Sequence, residues 1–220
     1  MSTYYPDYGH DPSRYPSHAR QAPNQAPLLG FLLALLLVLL VSWLFARSRP
    51  AAVDKLFRRM QFVSASLYSL GHGGNDSQKT MGIIAVLLYA HGGGHGAFHV
   101  PMSVVLACQA AMALGTLFGG WRIVHTMGSR ITRLSPMQGC CAETGGAITL
   151  FLATHIGVPV STTHTISGAI VGVGTARRVS AVRWNLATGI VWAWVITMPI
   201  TGLMGALFYG LARLADRMAG

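Results

Sequence analysis

Residues 71–80 read Gly-His-Gly-Gly-Asn-Asp-Ser-Gln-Lys-Thr, and they interrupt an apolar stretch that runs from Gln61 to Ala90. Neither flank is long enough by itself to cross roughly 30 Å of hydrocarbon. Irregular backbone survives at membrane depth only where protein or water satisfies its N–H and C=O groups. The pattern therefore predicts a broken helix, with the polar stretch at the break. A second interruption, Pro159-Val-Ser-Thr-Thr-His164, divides the apolar stretch from Gly139 to Gly174.

The rest of the chain supports this frame. Leu28–Ala46 is a Leu-dominated run followed by Arg47 and Arg49, long enough to span and to act as an uncleaved anchor. Met102–Gly119 and Ala187–Tyr209 are further spans, the last holding Trp192 and Trp194. Residues 1–26 are rich in Tyr, Pro, Ser and His, lack apolar periodicity, and are expected to be a disordered tail. No basic segment leads directly into the first apolar run, so the start does not resemble a signal peptide. Residues 27–212 form the membrane domain and 213–220 a short tail.

Of 220 residues, 52% are hydrophobic and 10% charged, and 26 are Gly. A soluble domain carries about 25% charged residues, so the class is an all-α, polytopic membrane protein. The net charge of +10 does not point to nucleic acid. The basic residues fall in short clusters between apolar segments, at Arg47–Arg59, at Arg122, Arg130 and Arg133, and at Arg177, Arg178 and Arg183. Loops that stay in the cytoplasm have that layout. With both its flanks cytoplasmic, Gly139–Gly174 enters and returns as a re-entrant hairpin. Both termini are then outside, which leaves Arg213 and Arg217 on the unfavoured side. Cys108, Cys140 and Cys141 are expected to be reduced packing residues.

Six residues are acidic, and Asp76 and Glu143 are the two near or within apolar segments. A carboxylate in a membrane costs several kcal/mol unless paired or hydrated, so such residues mark ion pathways. Asn75 and Asp76 follow Gly71, Gly73 and Gly74, and both are good N-cap residues for a helix over Ser77–Ala90. First-turn N–H groups of such a helix suit an anion, and the Asp76 carboxylate suits Na⁺ or H⁺. The alternative is an ordinary turn that caps a helix. Ser161, Thr162 and Thr163 supply hydroxyls at a second helix start, for an anion or for their own helix backbone. Glu143 suits a cation ligand or proton carrier, or an interfacial carboxylate paired with Arg130 or Arg133. Lys79 suits phosphate or Asp76, or snorkels to the interface. His91, His95 and His99 are spaced by four, but the intervening glycines make a poor helix, so a solvated loop is expected rather than a metal site. His72 and His164 flank the two polar motifs. His155 is expected to pack or to line a pore. No nucleophile–base arrangement suggests an enzyme.

The stretch Gly71–Gly82 resembles the Gly-Ala-Asn-Asp type signature of the inorganic phosphate transporter (PiT) family, with Gly74 in place of Ala. Pro159–Gly174 resembles that family's second signature, and Gly120–Val124 and Gly189–Trp194 are similar too. The resemblance covers about residues 28–212 and is strongest to the carboxy-terminal half. It implies secondary transport of inorganic phosphate across a plasma or inner membrane, coupled to Na⁺ or H⁺, without a further cofactor. It also implies two inverted repeats, with substrate and cation at their interface. By matching positions, Asn75, Asp76, Ser161, Thr162 and Thr163 would hold phosphate, and Asp76 and Glu143 the coupling cation. Lys79, Gln78 and His164 are secondary candidates.

This sequence has one copy of each signature, and residues 1–26 resemble nothing in the family. A site made between two repeats is not completed by one. The expectation is a homodimer or a separate amino-terminal-half subunit. A non-transporting remnant or membrane interaction protein is the alternative, as is a carrier of another oxyanion such as sulfate.

Overall fold

A computed structural model describes residues 17–92, 98–120, 125, 128, 131–158 and 160–219, with the backbone alone at 17–24, 215, 216, 218 and 219. The described elements are helical: α1 (Ser17–Leu44), α2 (Pro50–His91), α3 (Met102–Gly119), α4 (Pro136–His155), α5 (Thr162–Arg177) and α6 (Trp184–Ala219), with a 3₁₀ turn at Val179–Ala181. Three helices carry windows long and apolar enough to cross a membrane, at Gln25–Leu44, Met102–Gly119 and Trp184–Leu214. These match the three long spans expected from sequence. The boundary at residue 26 is not a helix boundary, because α1 begins at Ser17. The remainder of that proposed tail lies outside the described residues.

The expected break in α2 is absent. Pro50–His91 is one continuous helix through the Gly-rich stretch. Its glycines do not use left-handed backbone, since Gly157 is the one positive-φ residue among those described. At Gly71 the missing side chain serves close packing: a Cβ there would come 3.3 Å from Leu150 Cβ on α4. Asn75 and Asp76 in this stretch reach sideways to Thr154 on α4 and Thr162 on α5, and Ser77 bonds back to the carbonyls of Gly73 and Gly74, so the backbone ladder stays intact. Asn75 and Asp76 are accordingly interior helix residues, not N-caps, and their backbone amides do not point at a ligand.

The second interruption is present. α4 opens with a capping box, in which Ser135 accepts from the Gln138 amide at 3.4 Å and Gln138 Oε1 accepts from the Ser135 amide at 3.0 Å. It closes on Gly157, whose φ of 71° no branched residue adopts cheaply. The Val158 amide bonds Ala153 O at 2.9 Å and the Gly157 amide bonds Thr154 O at 3.1 Å, the paired bonds of a Schellman stop. Ser161 then caps α5 by accepting from the His164 amide at 3.4 Å. Pro159 itself lies outside the described residues.

Small residues set how the helices pack. Gly168-Ala-Ile-Val-Gly172 on α5 faces α1 so closely that added Cβ atoms would fall on the carbonyls of Pro27 and Phe31. This small-xxx-small pattern lets helix backbones meet where lipid offers no hydrophobic drive. The pairs Pro27–Gly168 and Phe31–Gly172 make α1 and α5 parallel. On the other side, Tyr68–Gly146 and Gly71–Leu150 contacts make α2 and α4 parallel. α4 and α5 thus form an antiparallel hairpin clasped between α1 and α2. Ala34, Val38, Cys141, Ala142, Ala169 and Val173 make its core.

This topology collects Arg47, Arg49, Arg58, Arg59, Arg133, Arg177, Arg178 and Arg183 at one end, where α1 stops, α2 and α4 start and α5 stops. α2 continues for roughly 22 Å beyond Asp76 at 1.5 Å per residue. The hairpin tip therefore turns back well short of the far end of α2, as a re-entrant element does. α6 stands apart from this core, and none of Trp184–Leu214 is buried. Among the described residues, Trp194 of α6 stacks on His164 of the hairpin, centroids 3.8 Å apart.

Candidate functional site

The long-range polar contacts made by Tyr68, Asn75, Asp76 and Lys79 of α2 converge on the hairpin tip. Asp76 is the hub. Its Oδ2 accepts from Thr162 Oγ1 at 2.9 Å, and its Oδ1 accepts from Lys79 Nζ at 3.0 Å. Lys79 Nζ also donates to Val160 O at 2.8 Å, so it ties the carboxylate to a carbonyl of the tip. Tyr68 Oη donates to Thr162 O at 3.2 Å. Asn75 Nδ2 donates to Thr154 Oγ1 at 3.4 Å. Thr162 is buried at the first position of α5, so its hydroxyl is presented to α2 rather than to lipid.

Two atoms in this cluster remain short of partners. Asn75 Oδ1 is buried without a hydrogen bond. His72 Nδ1 stands 3.5 Å from Asp76 Oδ2 yet makes no bond of acceptable geometry. An orphaned carbonyl oxygen beside a carboxylate is an oxygen-rich corner of the kind hard cations use. A lysine ammonium and tip hydroxyls beside it are donors of the kind oxyanions use. The arrangement therefore places oxygen acceptors and cationic and hydroxyl donors side by side, near Asp76 on α2 and Thr162 on α5.

The other residues singled out from the sequence divide. Ser161 sits at the tip as the α5 cap and keeps its own O–H proton to donate. Thr163 and Gln78 are exposed, and neither side chain joins this set of hydrogen bonds. His164 is turned to Trp194. Glu143 is elsewhere: its Oε2 accepts from Ser64 Oγ at 2.5 Å and its Oε1 from Gln61 Nε2 at 3.4 Å. Ser64 precedes Asp76 by roughly 18 Å along α2, so Asp76 and Glu143 do not share one ion. Among the described residues Glu143 makes no ion pair with Arg133, and Arg130 lies outside them. Glu143 instead borders a cleft of about 740 Å³ with Arg58, Gln61, Ser66 and Ser69.

Sequence reasoning missed Tyr68, Thr154, Gln61 and Ser64. A signal was there. Gln61, Ser64, Tyr68, His72, Asn75 and Lys79 recur at three- and four-residue steps, one face of an uninterrupted helix.

Fold and cluster together define a multi-pass helical membrane protein with a polar hub at the tip of a re-entrant hairpin. Residues 45–205 match the model of the phosphate transporter family, and the chain belongs to that family. It is 73% identical over 174 residues to a probable low-affinity inorganic phosphate transporter of Rhizobium meliloti (strain 1021), which is 79% of this chain and 52% of that protein. A protein of the same description from Bacillus subtilis (strain 168) is 45% identical over 169 residues, 77% of this chain and 51% of the relative. The chain thus spans about half the length of the curated relatives it matches. A solved structure described as the sodium-dependent phosphate transporter superposes with a TM-score of 0.62 over 85% of this chain and 56% of that one, at 24% identity. That likeness is one of fold.

Proposed function

We propose that this chain is one repeat of a secondary transporter of inorganic phosphate, coupled to Na⁺ or H⁺. A second copy, or a separate subunit like the amino-terminal half, completes the site. The observation that carries the reading is the shared use of donors at Asp76. Thr162 and Lys79 are both spent on one carboxylate. A cation bound at Asp76, with Asn75 Oδ1, takes over the neutralisation of that carboxylate. Lys79 and Thr162 are then free to turn, with Ser161 and Thr163, to a phosphate. Conversely, phosphate that draws away both donors leaves Asp76 a carboxylate in want of a cation. Each ligand thereby raises the affinity for the other, by the same factor in both directions. Glu143, at the arginine-rich end, serves as a separate station on the cation path.

Support for a completing partner comes from surfaces. Cβ atoms added at Gly73 or Gly74 would meet nothing within 4 Å, so the α2 backbone beside Asp76 is open on that side. α6 likewise buries none of its apolar length.

The test is labelled-phosphate uptake by purified chain in liposomes under an imposed Na⁺ or H⁺ gradient, with Asp76→Asn alongside. Gradient-driven uptake that the variant loses supports the reading and names the ion. Folded chain that stays inactive both alone and when co-reconstituted with an amino-terminal-half partner overturns it. Sulfate that competes as well as phosphate would replace the substrate.

A further inference from the structure

A second polar pocket, of about 310 Å³, lies at the arginine-rich end, far from Asp76 and lined by Arg133, Arg177 and Arg183 together with Thr132, Gln138 and Ser180. We propose that it binds an anionic phosphoryl group, either the headgroup of an anionic phospholipid or free phosphate.

Three observations carry this. First, the charge is uncompensated. Among the described residues none of the three guanidiniums makes an ion pair, and no carboxylate lines the pocket. Three like charges around one small space repel unless an anion joins them. Second, the donors suit the group. Arginine forks match phosphate oxygens two at a time. Thr132 and Ser180 add hydroxyls, and Gln138, whose Oε1 is used on the Ser135 amide, keeps its NH₂ to donate.

Third, the walls are held by the core rather than by a loose loop. The Arg183 amide donates to Ile131 O at 3.0 Å. Ile131, Val173 and Val182 are buried together in the hairpin core beneath. A Cβ at Gly174 would come 2.8 Å from Val182 Cγ2 and 3.4 Å from Thr132 Cγ2, so the three segments are locked in contact. The position is also apt. Basic pockets between helices at the end of a membrane domain are where anionic headgroups dock.

The test keeps the full chain in neutral detergent at fixed ionic strength. It is titrated in separate arms with inorganic phosphate, phosphatidylglycerol and net-neutral phosphatidylcholine while backbone hydrogen exchange is followed. Expected is slowed exchange at 131–138 and 174–183 with one or both anions and none with phosphatidylcholine. Protection by phosphatidylglycerol alone identifies a lipid site, and protection by phosphate alone a free-anion site. Arg177→Gln combined with Arg183→Gln should weaken that binding about tenfold or more, and the paired Lys substitutions should weaken it less. Protection confined to the Asp76 hub, equal protection by phosphatidylcholine, or unchanged affinity in the Gln variant overturns the proposal. Should the Gln variant fail to fold, the exchange map of the unsubstituted chain still decides.

Discussion

Thr162 donates its hydroxyl to Asp76 at 2.9 Å across 86 residues of sequence, which joins the middle of one long helix to the first turn of another. Together with the bonds from Lys79 to Val160 O and from Tyr68 to Thr162 O, it holds the hairpin tip against α2 at one register.

Thr162→Val keeps the shape and removes the donor. A bond to a charged acceptor contributes about 1.5–3 kcal/mol, so the thermal midpoint should fall while the chain stays folded. Phosphate uptake should fall further than stability does. Asp76→Asn keeps an acceptor for Thr162 but discards the charge. It should lose gradient-driven uptake with a smaller change in midpoint. Wild-type uptake by both variants would separate the hub from transport.

Lys79→Gln tests the exchange of partners. It leaves Asp76 without its ammonium and should weaken phosphate affinity about tenfold. The boost that the coupling ion gives to phosphate binding should shrink as well, because the donor being handed over is gone. Isothermal titration with and without Na⁺ or at two pH values reads both effects. A variant that binds phosphate more weakly yet keeps the full boost argues against the handover.

Glycines offer a sharp contrast. Gly168→Ala drives a methyl group into the Pro27 carbonyl, and a tightly packed contact resists that by about 1–3 kcal/mol or more. Gly73→Ala places its methyl in open space within a continuous helix, so the detergent-solubilised chain should gain about 0.5–1 kcal/mol. Thermal melts compare the two. Destabilisation by Gly73→Ala would favour a break in α2 over the uninterrupted helix.

Gly157→Ala addresses the hairpin stop. Its left-handed φ of 71° costs a side-chain-bearing residue about 1–2 kcal/mol. The substitution should lower the midpoint, and loosened tip geometry should also raise the KM for phosphate. A purely local effect would move the midpoint alone.

Much of the membrane architecture was legible in residue order. The runs at Leu28–Ala46, Met102–Gly119 and Ala187–Tyr209 are too apolar and too long for any other solvent. The arginine clusters foretold that α4 starts where α5 ends. Ser161 announced the restart of the hairpin through capping, a local effect. The Gly71–Thr80 stretch misled for a physical reason. Glycine and Asn–Asp have two uses, a turn or a close helix contact with polar side chains reaching sideways, and local propensity does not separate them. The three- and four-residue rhythm from Gln61 to Lys79 was the signal that did.

Sequence by itself determined the solvent, the spans, the hairpin and the identity of the polar residues, because burial of apolar length and helix capping are settled within a few neighbouring residues. Tertiary structure alone decided that α2 is unbroken, that Asp76 meets Thr162 and Lys79, and that Glu143 stands roughly 18 Å away along the helix. Whether a polar group at membrane depth bends its own backbone or reaches across depends on which partner stands opposite, and that partner lies on another helix, placed there by the close Gly168 and Gly172 contacts with α1.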